Sequence, residues 1–150
     1  MYKNILIAYD GSDSAKLALK GAVEIGKKLG SNITALWVRD SVPHFPETVD
    51  EVQEEKEAAD TYEQQLSGEV DQFALKEGVN IDFVSLPGNP AKVVVDYATK
   101  FQSDLIVTGH TSHHNLWGNL LGNIADKISD HAPCNVLIVR KKNHDKTAHK

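Results

Sequence analysis

The chain has 150 residues, with 16 Lys and Arg against 21 Asp and Glu, a formal net charge of −5. That length suits one domain, and 41% hydrophobic with 25% charged residues is too apolar for a disordered chain. No run of about 20 apolar residues offers a membrane span, the acidic balance speaks against nucleic acid, and residues 1–10 lack the pattern of a secretory signal. Cys134 is the single cysteine. It leaves no intrachain disulfide and no Cys-based zinc set, and a reducing, cytoplasmic location fits.

Ile5–Tyr9 is a short apolar run ending at the turn cluster Asp10-Gly11-Ser12-Asp13, a first strand. Ala15, Ala18, Leu19, Ala22, Gly26 and Leu29 recur at helical spacing, with Ser12 or Asp13 as cap and Gly30 as stop. Ile33–Val38 is a second strand, and residues 40–46 hold two prolines and read as a loop. Val52, Ala59, Leu66 and Phe73 repeat every seven residues, with Tyr62 and Val70 beside them, so a long helix is expected before Gly78. Residues 47–77 would make a helix of about 46 Å, too long to cover strands of about 20 Å. Its first part is expected to overhang the sheet or stay mobile.

Ile81–Leu86 is a third strand, polar enough for an edge. Asn89 caps a third helix with Pro90 at its first position, and Ala91, Val94, Val95, Ala98 and Phe101 form its stripe. Leu105–Val107 is a fourth strand ending at Thr108-Gly109. Leu121, Ile124, Ala125, Ile128 and Ala132 mark a fourth helix, and Val136–Val139 a fifth strand. Strands alternating with helices imply parallel strands and right-handed crossovers. The apolar character of the first, fourth and fifth strands implies that both faces of the sheet are covered. The fold class is α/β: a doubly wound, five-stranded parallel sheet with helices on both faces, spanning residues 1–140. Residues 141–150 read as a basic, disordered tail.

Ligands of such sheets bind beyond the carboxyl ends of the strands, where strand order reverses. With the order 3-2-1-4-5 that point lies between the first and fourth strands. Asp10-Gly11-Ser12-Asp13 falls there, and so does the segment from Gly109-His110-Thr111-Ser112 to Gly122-Asn123. A glycine leaving a strand and another opening a helix suit an anion, because backbone N–H groups approach it closely and the helix terminus adds unpaired donors. The same glycines also serve plain loop geometry.

Tyr9-Asp10-Gly11-Ser12, Gly88-Asn89-Pro90-Ala91, Gly109-His110, Leu116-Trp117-Gly118-Asn119-Leu120-Leu121-Gly122 and His131-Ala132-Pro133-Cys134-Asn135 together resemble the universal stress protein family. The resemblance covers about residues 1–140. It implies the strand order 3-2-1-4-5, a homodimer paired through Asn135–Val139, and, for one branch, ATP at the switch point. That branch carries a glycine, two residues, a glycine, nine residues, then glycine and serine or threonine. Gly109 and Gly122 keep the outer positions, while Ser112 replaces the middle glycine and Asn123 the hydroxyl residue. By the resemblance, Ala8, Tyr9, Asp10, Val38, Gly109, His110, Ser112, Gly122, Asn123 and Ile124 would hold the nucleotide. Asp10 would lie near Mg²⁺ on the phosphates, and Val38 would touch the base through its backbone.

Three functions follow. The first is an adenine-nucleotide-binding (ATP or AMP) stress or signalling protein, a homodimeric switch whose occupancy alters affinity for an unnamed protein partner. The second is a dimeric interaction module that has lost the nucleotide, as Ser112 and Asn123 suggest. The third is a slow ATP hydrolase, although no Walker loop, nucleophile motif or general base stands out and no catalytic residue is named. His110, His113 and His114 lack a diagnostic metal spacing and read as polar loop residues or phosphate contacts. Cys134, Trp37 and Trp117 read as packing residues. The charge is uneven: residues 140–150 hold five basic residues and one acid, against 11 basic and 20 acidic before them.

Overall fold

In the computed structural model, which describes residues 1–40, 48–110 and 122–142, nine elements alternate strictly. They are β1 (Asn4–Ala8), α1 (Asp13–Leu29), β2 (Asn32–Asp40), α2 (Val49–Glu77), β3 (Ile81–Gly88), α3 (Pro90–Lys100), β4 (Leu105–Gly109), α4 (Asn123–His131) and β5 (Asn135–Val139). The sheet is parallel throughout, in the order β3-β2-β1-β4-β5. The expected α/β class, strand order and two-sided helical cover are all present.

The pleat sorts side chains between two cores. Ile5, Ile7, Ile33, Ala35, Leu105 and Val107 face α1 and α2, where Leu19, Val23, Leu66 and Val70 pack on them. Leu6, Leu36, Val38 and Ile106 face α3 and α4, against Val94, Ala98 and Ile128. Each Val, Leu or Ile among them contributes about 1.5–3 kcal/mol by leaving water. Local sequence starts the helices. Ser12, Thr48 and Asn89 accept from the first turns of α1, α2 and α3, and Pro90 opens α3.

Several expectations change. β1 stops at Ala8, one residue short of Tyr9, and β2 runs from Asn32 to Asp40, beyond both expected ends. Leu29 and Phe101 are exposed, because each lies at a helix end past the sheet. α2 does overhang: residues 49–57 are all exposed, Val52 among them, and only Leu66, Val70 and Ala74 are buried. β5 is not covered on both faces; no residue of it is buried, although four in a row are apolar. It is an outer strand of the sheet, paired among the described residues only with β4. Cys134 is half-buried against the α3–α4 core, and burial pushes its thiol upward. No helix among the described residues is long and apolar enough to cross a membrane. Ser112, His113, His114, Trp117 and the tail from residue 143 lie outside the described residues.

Candidate functional site

β1 and β4 are neighbours, yet β1 feeds α1 on one face and β4 leads to α4 on the other. The chain parts at their carboxyl ends and leaves a cleft of about 570 Å³, the size of a small-molecule site. Ala8 reaches it from β1, Tyr9 and Asp10 from the turn after β1, Leu36 and Val38 from β2, and Thr108 and Gly109 from β4. Pro90, Val94, Ile124 and Ala125 make an aliphatic wall on the α3–α4 side. Ser12, Ser14, Trp37 and Tyr62 make the opposite wall.

The turn after β1 is held from two directions. Asp10 Oδ1 accepts from the Ser12 N–H at 2.9 Å, and the Tyr62 hydroxyl of α2 donates to the Asp10 carbonyl. Gly11 has φ +83° and lies against Leu66 and Tyr62, so a side chain there would be strained and crowded. Tyr9 donates its hydroxyl to Glu69 at 2.9 Å, and burial with that carboxylate pushes the phenol upward. Burial, then the Asp10 and Glu69 charges, raises Tyr62 too.

Gly109 has a packing reason to be glycine. A Cβ there would fall 2.0 Å from Ser14 Oγ and 2.7 Å from the Ser14 carbonyl carbon and oxygen. α1 therefore presses directly on the end of β4, and this close approach draws the cleft's floor together.

The start of α4 offers backbone donors to the cleft. Its cap, Gly122, supplies no side-chain hydrogen bond, unlike the caps of the other three helices. The first-turn N–H groups of Asn123, Ile124 and Ala125 have no intrahelical acceptor, and the helix end carries partial positive charge. Gly122 is tied down by its own N–H, which donates to the His110 carbonyl at 2.8 Å. The His110 N–H in turn donates to the Val139 carbonyl at 3.0 Å. One residue thus links the start of α4 to the end of β5.

The His110 side chain is buried, and its Nε2 has no hydrogen-bond partner among the described residues. Burial, and then the Arg140 charge, holds this imidazole below its ordinary range. It is not among the cleft-lining residues, and neither is Asn123, whose side chain is exposed at the first position of α4. Ser112 lies outside the described residues. Ala8, Tyr9, Asp10, Val38, Gly109, Gly122 and Ile124 do come together around one cleft.

Sequence reasoning missed the aromatic wall. Trp37 and Tyr62 meet edge to face at 5.4 Å, and the Arg39 guanidinium lies 5.6 Å from the Trp37 ring centre. Arg39 binds Asp60 at 2.9 Å and Glu63 at 3.1 Å, pinning α2 to β2; the Asp60 hydrogen bond chiefly raises its pKa. Asp10 is the only charged side chain lining the cleft among the described residues. Among them, too, no group of three or more His, Cys, Asp or Glu is placed to hold a metal.

Comparison with known proteins agrees with this architecture. The family model described as the universal stress protein family matches residues 1–140. A universal stress protein of Methanocaldococcus jannaschii is 34% identical over 148 residues, which cover 94% of this chain and 84% of that protein. The structure of the universal stress protein UspA from Lactobacillus plantarum is 32% identical, superimposes with a TM-score of 0.83, and pairs 93% of this chain with 98% of that one. A universal stress protein solved in complex with cAMP is 22% identical, has a TM-score of 0.72, and pairs 94% of this chain with 99% of that one, which shows a shared fold.

Proposed function

This chain belongs to the universal stress protein family, and we propose that it binds an adenine nucleotide, ATP or AMP, in the cleft between β1 and β4. The observation that carries the reading is the cleft's division of labour. An uncapped helix start offers N–H donors at one place, and an aliphatic wall of Val38, Pro90 and Val94 offers a dry surface at another. The first suits phosphate, the second a flat base. The cAMP held by the distant relative supports an adenine ligand. Asp10, the one lining carboxylate, fits Mg²⁺ carried on the phosphates, since that ion takes carboxylate and phosphate oxygens. Gly109, Gly122, Asn123 and Ile124 then hold ribose and phosphates, with His110 beneath them setting the start of α4. The nucleotide-binding domain is residues 1–140, and its setting is cytoplasmic.

Calorimetry with ATP and Mg²⁺ tests this. Saturable heat is expected, and Asp10→Asn should weaken the Mg²⁺-dependent part about tenfold, the worth of one charge-assisted contact. No heat with ATP, AMP or cAMP at millimolar concentration would leave the second reading, a nucleotide-free interaction module, which Ser112 and the exposed Asn123 favour.

The same reading makes the protein a homodimer through β5. Four apolar residues in an outer strand, Leu137 among the exposed ones, ask for a partner strand. Because His110 ties the end of β5 to the start of α4, ligand at the cleft and pairing at the edge share one backbone connection. The resulting switch works through unequal ligand affinity for two states. Light scattering at tens of micromolar should give twice the chain mass, and Leu137→Asp should halve it. Leu137 is exposed in the single chain, so the change spares the fold; a wild-type monomer rejects the β5 interface.

A further inference from the structure

The cleft is poor in positive charge for a phosphate site. Its only charged lining residue among those described is Asp10, and Arg39 nearby is committed to Asp60 and Glu63. The chain nevertheless places cations just past the end of β5, beside the end of β4, although none of them lines the cleft. Val139 pairs in register with Gly109, a lining residue, and its carbonyl receives the His110 N–H. Arg140, Lys141 and Lys142 follow at once, all exposed. The Arg140 charge is felt at His110, whose own carbonyl holds the cap of α4.

We infer that Arg140, Lys141 and Lys142 form an electrostatic subsite for the outer phosphates of a polyphosphate ligand, resting on the nucleotide reading above. The start of α4 would hold the inner phosphates, with Asp10 facing any Mg²⁺ they carry, and the segment after β5 would select ligands by charge. A triphosphate then gains from the segment, a monophosphate less, and an uncharged nucleoside nothing. Exposed cations are screened by salt over about 8 Å at physiological ionic strength, so the preference is strongest in dilute buffer.

The test compares the full chain with the triple variant R140Q/K141Q/K142Q, titrated with ATP, AMP and adenosine in dilute buffer and again at high salt. ATP affinity should fall about three- to tenfold in the variant at low salt, as expected for a few exposed charge contacts. AMP should fall less and adenosine not at all, and the ATP difference should vanish at high salt. Circular dichroism and melting should match between the two proteins. Equal losses for ATP and adenosine overturn the inference, because they point to a disturbed β5; an unchanged ATP affinity overturns it as well. If the wild type binds no nucleotide, inorganic tripolyphosphate titrated alone decides: salt-sensitive binding lost in the variant upholds the subsite without the adenine reading. No binding of tripolyphosphate rejects both.

Discussion

Gly109→Val is expected to lower stability by about 3 kcal/mol or more and to abolish the proposed nucleotide binding at the cleft. The new Cβ would sit 2.0 Å from Ser14 Oγ and 2.7 Å from Ser14 backbone atoms. A flexible side chain can turn aside, but the first turn of α1 cannot move without dragging Ser12, whose side chain caps it, and the Asp10 turn. Overpacking against rigid backbone costs at the upper end of its usual range. For a domain of this size the melting temperature should fall by about 6–12 °C. Gly109→Ala should show the same direction with a smaller fall, because the two extra methyl groups are absent. Thermal denaturation followed by circular dichroism reads both, and a melting temperature within a degree of wild type would refute the contact between α1 and β4.

Leu66→Ala should cost about 3 kcal/mol, the middle of the range for emptying a closed core site. Leu66 is fully buried and lies beside Gly11 under the β1–α1 turn. It matters beyond its volume because α2 has only Leu66, Val70 and Ala74 buried along its whole length. Loosening that short anchor also frees Tyr62, one turn before it, from the Asp10 carbonyl. Ligand affinity should therefore drop along with stability. Val52→Ala on the overhang is the contrast: it is half-exposed, and its melting temperature should stay within about 2 °C, as for an ordinary surface change. Equal losses in the two variants would mean that the overhang packs as firmly as the anchored half.

The order of strands and helices was legible because punctuation and periodicity agree. Asp10-Gly11, Asn89-Pro90 and Gly30 each stop or start an element by local chemistry that needs no tertiary context. β5 shows where such reading fails. An apolar run looks alike whether two layers of helices cover it or it is an uncovered edge, and only the order of strands tells them apart. α2 fails differently. The heptad from Val52 to Phe73 fixes which side faces inward, yet nothing in it records where the sheet ends. Val52 therefore follows the period into solvent.

The site was legible in its backbone and illegible in its walls. Asp10, Gly109 and Gly122 stood out as turn residues at strand ends. Val38 entered through family resemblance, since a valine in an apolar strand carries no mark of a ligand. In sequence Trp37 reads as a packing residue and Tyr62 as part of the long helix's apolar side, and both do pack against the core. Their place on the cleft arises because α2 crosses the end of β2, a contact between residues far apart in sequence. Pro90 was read as a helix-starting device; it is that, and a piece of the aliphatic wall besides.

The two outer strands of the sheet are unlike each other. β3 carries Asp82 near its start and Pro87, which has no N–H to offer, near its end. β5 carries neither a charge nor a proline. A sheet that can add strands at both edges invites endless growth, and a head-to-tail contact that does not close makes a fibre. Of these two edges, β3 carries both deterrents to strand addition and β5 neither. In the proposed dimer, two copies joined edge to edge through β5 would present β3, among the described strands, to the outside, and growth would end after one step. Under the proposed β5 pairing, the unequal edges would set an upper limit of two on assembly by strand addition.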